Sequence, residues 1–118
     1  MDPAVTPATV LVVDDDQAIR QMLIEALDDF GYRVLTAENG KQALGVLAEA
    51  PTLPRLILLD LMMPVMNGWE FLEQQQHDAR IARIPVVVLS ARPSLQHEAY
   101  VTHVDTFLQK PVDILSLL

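Results

Sequence analysis

The sequence predicts an α/β domain with a doubly wound, five-stranded parallel sheet, on three observations. Five short runs rich in β-branched residues or leucine recur along the chain, segments with helical apolar spacing lie between them, and three of the runs are apolar almost throughout. Strands that are apolar on both faces need cover on both faces, which a parallel sheet flanked by helices supplies. A chain of 118 residues suits one domain and can bury a core of its own.

Residues 1–8 carry Pro3 and Pro7 and no periodic apolar pattern, so they read as a flexible leader before a domain over residues 9–118. Strands are expected over residues 9–13, 32–36, 55–59, 85–89 and 106–109, each of ordinary strand length. The first helix shows a stripe of Ile19, Met22, Leu23, Ala26, Leu27 and Phe30, and Gly31 is its stop. Asn39 and Gly40 open a second helix through Ala50. Asn67 and Gly68 open a third that carries Trp69, Phe71 and Leu72 and ends in a polar segment over residues 74–77. Asparagine suits both starts because its side chain accepts from the first free helix N–H groups. A fourth helix around residues 94–102 and a fifth over residues 113–118 are short and weakly patterned. The run stops at Leu118 before completing two turns, which reads as a trimmed or excised C-terminus. Five strands alternating with helices imply right-handed crossovers and a flavodoxin-like (βα)5 order, 2-1-3-4-5. Ligands of such sheets sit beyond the C-terminal strand ends, where the order reverses.

Composition removes several function classes. A formal net charge of −8 sets the domain against a phosphate backbone, so direct nucleic-acid binding is not expected of it. No apolar run approaches bilayer-spanning length and the start lacks a signal region, so no membrane contact is expected and the domain reads as cytoplasmic. Without cysteine there are neither disulfides nor thiolate metal sites. Neither a GxGxxG nor a GxxxxGK[ST] motif is present, which weighs against flavin or nucleotide binding.

The chemistry-bearing residues fall at one edge of the predicted sheet. The first strand runs into Asp14, Asp15 and Asp16, the third into Asp60, the fourth into Ser90 and the fifth into Lys110. Each has a bland explanation alone: helix capping for the acidic run, with Asp16 as the cap, loop hydrogen bonding for Asp60, a turn for Ser90, a solvated lysine. Their coincidence is harder to explain that way. Carboxylates on adjacent strands about 4 Å apart repel by roughly 4 kcal/mol at an effective dielectric near 20, and a hard cation such as Mg²⁺ relieves this. Zinc is disfavoured because His77, His97 and His103 lie away from this edge and read as surface residues. A carboxylate nucleophile, a metal and a cation are the parts of phosphoryl transfer: Asp60 as acceptor, Lys110 as charge, the Ser90 hydroxyl as donor, and Ala91 leaving room.

These residues resemble the receiver domain of two-component response regulators over nearly the whole chain. Val10 to Asp16 (VLVVDDD) is similar to the acidic-pair motif, Leu58 to Gly68 (LLDLMMPVMNG) to the phosphorylation loop, Ser90 and Ala91 to the switch-hydroxyl motif, and Gln109 to Pro111 (QKP) to the lysine-proline motif. The resemblance implies a phosphoacceptor switch in which Asp60 takes a phosphoryl group from a histidine kinase or histidine phosphotransfer protein. It implies Mg²⁺ held by Asp14, Asp15, Asp60 and the Met62 backbone carbonyl, Phe107 as the switch aromatic, and a cis bond before Pro111. It further implies a domain that catalyses only its own phosphorylation and dephosphorylation, acts on an output domain or protein, and is a monomer or a phosphorylation-dependent dimer.

The chain departs from the family pattern in places. The stretch between Ser90 and Lys110 is shorter, His103 and Val104 stand where a Gly-Ala pair is usual, and Phe107 lacks the hydroxyl of the commoner tyrosine. Two other functions compete. A constitutive interaction module with this fold would need none of the acceptor residues, all of which are present. An aspartate-nucleophile phosphohydrolase of the haloacid-dehalogenase type wants a second aspartate two residues after the first, where this chain has Met62. Met22, Met62, Met63 and Met66 read as core and loop filler rather than a partner groove.

Overall fold

A computed structural model of the chain describes residues 8–90 and 106–109. The described elements run β1 (Thr9–Val13), α1 (Gln17–Asp29), β2 (Arg33–Ala37), α2 (Gly40–Glu49), β3 (Leu56–Asp60), α3 (Gly68–Gln76), β4 (Val86–Ser90) and β5 (Thr106–Gln109). The strands form one parallel sheet in the order β2-β1-β3-β4-β5, as the alternating pattern predicts. The fourth and fifth helices expected from sequence, and the leader, fall on residues outside this description.

Side-chain alternation divides the sheet between two cores. Leu11, Val13, Ile57, Leu59, Val86 and Val88 face one way and pack with Ala43 and Leu47 of α2 and Phe71 and Leu72 of α3. Val10, Val12, Leu58, Val87 and Leu89 face the other way and pack with Leu23 and Leu27 of α1. All five residues of β1 are buried, which is why the run reads as continuously apolar. A fully buried Leu or Phe contributes roughly 1.5–3 kcal/mol relative to exposure, so α1 is held chiefly by Leu23 and Leu27.

The helix ends follow local chemistry. Asp16 caps α1, its carboxylate accepting from the Ala18 and Ile19 N–H groups. The same helix closes in a Schellman turn: Gly31, at φ 85°, donates to the Asp28 carbonyl and Tyr32 donates to the Leu27 carbonyl. Asn39 caps α2, and Asn67 forms a reciprocal capping box with Glu70 at the start of α3. Arg80 closes α2 from a distance, its guanidinium donating to the carbonyls of Leu47 (2.6 Å) and Ala50 (3.0 Å).

Four details differ from the sequence reading. Strands β2, β3 and β4 each lie one residue later than expected, so Asp60 and Ser90 end strands rather than follow them. The α1 stripe is narrower: Met22 is 41% and Phe30 52% exposed, because Met22 lies at the flank and Phe30 is already the C-cap. Met62 is exposed rather than filling the core, whereas Met63 is buried. The polar end of α3 contains a buried residue, Gln75, whose amide N–H groups donate to the Ile81 and Ile84 carbonyls and hold the connection into β4.

Candidate functional site

Three parallel strands deliver carboxylates or a hydroxyl-bearing residue to the same sheet edge. Because β1 pairs with β3 (Val13↔Leu59), the residues that follow, Asp14 and Asp60, emerge side by side. Ligand oxygens of Asp14, Asp15 and Asp60 all lie within 4.8 Å of one another. Asp14 and Asp60 are buried and Asp15 is exposed, so the cluster has a closed floor and an open mouth. At 4.8 Å each pair of charged carboxylates repels by about 3.5 kcal/mol if the effective dielectric is about 20. An all-oxygen donor set of this kind suits a hard divalent cation that keeps part of its water, such as Mg²⁺, and lacks the imidazole and thiolate ligands zinc prefers.

The two buried acidic side chains are each held by a nearby loop N–H. The Asp14 N–H donates to the Ala37 carbonyl of β2 (3.1 Å), and one Asp14 carboxylate oxygen accepts from the Asp16 N–H (2.9 Å). Asp60 Oδ1 accepts from the Met62 N–H (3.2 Å). The following turn is tight. Gly68 donates to the Leu61 carbonyl at 2.9 Å, and a Cβ on Gly68 would lie 2.6 Å from the Asp60 carbonyl oxygen. Val65 takes φ 69°, a left-handed conformation costly for a β-branched side chain, while Met66 donates across it to the Pro64 carbonyl (2.7 Å). The Met66 carbonyl in turn accepts from Gly40, so the loop after Asp60 is tied to the start of α2.

The remaining predicted site residues are placed in part. Ser90 ends β4, next to β3, with Asp60 in register with Leu89. Phe107 lies in β5 opposite Val88, and Gln109, the residue before Lys110, pairs with Ser90. Ala91, Lys110 and Pro111 lie outside the described residues. Met62 stands two residues past Asp60 with its N–H engaged there. Sequence reasoning missed Arg20, whose guanidinium donates to the Asp14 carbonyl at 2.7 Å, and the close approach at Gly68. A basic residue in the first turns of a helix that follows an acidic run is the signal that marks Arg20.

The comparisons agree with this geometry. The family model described as "Response regulator receiver domain" matches residues 10–118. Response regulator Rre1 of Synechocystis sp. is 37% identical over 110 residues, covering 91% of this chain and 47% of the relative. The chain thus spans about half the length of the first curated relatives it matches. Among solved structures, Vibrio cholerae chemotaxis protein CheY4 superposes with a TM-score of 0.84 at 33% identity, covering 95% of this chain and 93% of that one. Response regulator TrrA of Thermotoga maritima, solved in complex with Mg²⁺ and BeF, has a TM-score of 0.82 at 28% identity, with 93% and 92% covered. A parallel sheet of order 2-1-3-4-5, an aspartate cluster at its C-terminal edge and these likenesses together place the chain in the receiver-domain family of two-component response regulators.

Proposed function

We infer that Asp60 is the phosphoacceptor and that Asp14, Asp15 and the Met62 carbonyl join it in holding Mg²⁺. The observation that carries this reading is the convergence of three carboxylates within 4.8 Å at the edge where the sheet order reverses. An Asp60 carboxylate oxygen attacks the phosphorus of a phosphohistidine on a kinase or phosphotransfer protein. The P–N bond breaks, the imidazole leaves with its electron pair, and an acyl phosphate remains. Asp14, Asp15, Asp60 and the Met62 carbonyl would hold Mg²⁺, which would offset the negative charge of the carboxylates and the phosphoryl oxygens. Asp60 is presented for this by its strand-end position and by the Met62 N–H, which engages one of its two carboxylate oxygens. Ser90 and Lys110 bind phosphoryl oxygens, Ala91 leaves space beside them, and Phe107 turns in behind the displaced Ser90 hydroxyl. The peptide bond before Pro111 is cis in this reading.

The domain occupies residues 9–118 after a leader, works in the cytoplasm, and catalyses only its own phosphorylation and dephosphorylation. Its output is a changed α4-β5-α5 surface read by another domain or protein, as a monomer or as a phosphorylation-dependent dimer.

The test is intact-mass analysis after incubation with acetyl phosphate, with and without Mg²⁺, on wild type and Asp60→Asn. One Mg²⁺-dependent phosphoryl adduct, absent from the variant, is expected. An adduct that persists in Asp60→Asn would remove Asp60 from the role, and no adduct from any small donor would move the reading toward a constitutive interaction module.

A further inference from the structure

Arg20 is oddly placed for a residue with only a packing role. It is the fourth residue of α1 and its N–H bonds to the Asp16 carbonyl, so its side chain runs back over the helix N-terminus. That end carries the positive pole of the helix dipole, where a cation is disfavoured by roughly 0.3–1 kcal/mol. The guanidinium is a cation, and this side chain is only 14% exposed. The nearby Glu38 carboxylate, at 3.7 Å and 64% exposed, offers only a weak surface ion pair. The close contact is the one to the Asp14 carbonyl at 2.7 Å.

We propose that Arg20 is a positioning residue for cation binding, acting through the Asp14 backbone. The inference rests on the reading of Asp14, Asp15 and Asp60 as the Mg²⁺ site. Asp14 is held on both sides of its Cα: its N–H donates to Ala37 in β2 and its carbonyl accepts from Arg20. With the backbone pinned and one carboxylate oxygen accepting from the Asp16 N–H, rotation of the carboxylate is restrained. Removing Arg20 releases one of these anchors and lets the turn between β1 and α1 rotate. The Asp14 carbonyl then loses this donor, and the carboxylate is held less firmly.

The sign of the effect separates this role from simple electrostatics. A cation beside an acidic cluster repels Mg²⁺, so by charge alone its removal tightens metal binding. A positioning role predicts the reverse. Mg²⁺ affinity is measured by calorimetry on wild type, Arg20→Met, Arg20→Gln and Glu38→Gln, with amide hydrogen exchange at Asp14 and Asp16 recorded without metal. Arg20→Met should bind Mg²⁺ about tenfold more weakly, the lower end of what loss of an outer-shell partner costs, and its Asp16 amide should exchange faster. Glu38→Gln should stay within about twofold of wild type, as an exposed pair at this distance contributes little. Unchanged or tighter Mg²⁺ binding in folded Arg20→Met overturns the proposal. If Arg20→Met does not fold, Arg20→Gln decides, since its shorter side chain loses both the charge and the reach to the Asp14 carbonyl: weaker binding supports the role and equal or tighter binding overturns it. Wild type that binds no Mg²⁺ at all sinks the metal-site reading and this inference with it, an outcome distinct from binding that is indifferent to Arg20.

Discussion

Replacing Gly68 by alanine adds one methyl group at a close approach behind the loop that follows Asp60. An ideal Cβ there lies 2.6 Å from the Asp60 carbonyl oxygen, 2.7 Å from Leu61 Cα and 2.8 Å from Leu61 Cδ2. The first two are backbone atoms and cannot swing aside, so the start of α3 or the end of β3 must shift by several tenths of an ångström. Overpacking of this kind costs about 1–3 kcal/mol, set against a gain of under about 1 kcal/mol for alanine over glycine in a helix. The net expectation is a loss of about 1–2 kcal/mol. At roughly 2.1 cal/mol/K of unfolding entropy per residue, 118 residues make 1 kcal/mol worth about 4 °C, so the Tm should fall by about 4–8 °C. Gly45 is the internal control. It lies inside α2 with open space where a Cβ would go, and Gly45→Ala should raise the Tm by about 3–4 °C. Thermal unfolding followed by circular dichroism reads both variants. If Gly68→Ala is as stable as wild type while Gly45→Ala rises as expected, the close approach is not a constraint and the reasoning fails.

Asn67→Ala removes one half of the capping box on α3 and should cost about 1 kcal/mol; a urea midpoint unchanged from wild type would show that the Asn67–Glu70 pair contributes nothing. Val65→Gly should stabilise by about 0.5–1 kcal/mol, because relief of a left-handed β-branched residue outweighs the extra chain entropy of glycine and Val65, 75% exposed, gives up little packing. A destabilised Val65→Gly would mean the side chain makes contacts that matter. Mg²⁺ at ten times its Kd should add about 1.4 kcal/mol, or about 6 °C in Tm, and most of that shift should vanish in Asp60→Asn. The same variant without metal should be at least as stable as wild type, since it removes one of three mutually repelling carboxylates. An equal Mg²⁺ shift in both proteins would take Asp60 out of the cation site.

Much of the architecture is legible in the chain because its signals are local. The period of two that puts Leu11 and Val13 on one face and Val10 and Val12 on the other is written in a run of five buried residues. The caps at Asp16, Asn39 and Asn67 and the turn at Gly31 depend on neighbours within a few residues, and all are found where the sequence places them. Where the reading slipped, the cause is not local. Asp60 and Ser90 look like strand terminators, yet each completes a strand because the neighbouring strand continues the ladder, with Asp60 paired to Leu89 and Ser90 to Gln109. Gln75 looks solvated beside Gln74 and Gln76 but is buried, because carbonyls from Ile81 and Ile84 reach it from the next connection.

By itself the sequence determined the order of the described elements, the buried faces of the strands and the strand edge that carries the acidic residues, since hydrophobic period and turn chemistry act over short spans. Only the tertiary structure decided that Asp14, Asp15 and Asp60 meet within 4.8 Å, that Gly68 must lack a side chain, and that Arg20 holds the Asp14 carbonyl. Those facts depend on β1 lying beside β3 and on helices docking behind them, and such distances between residues far apart in the chain exist only once the sheet has formed.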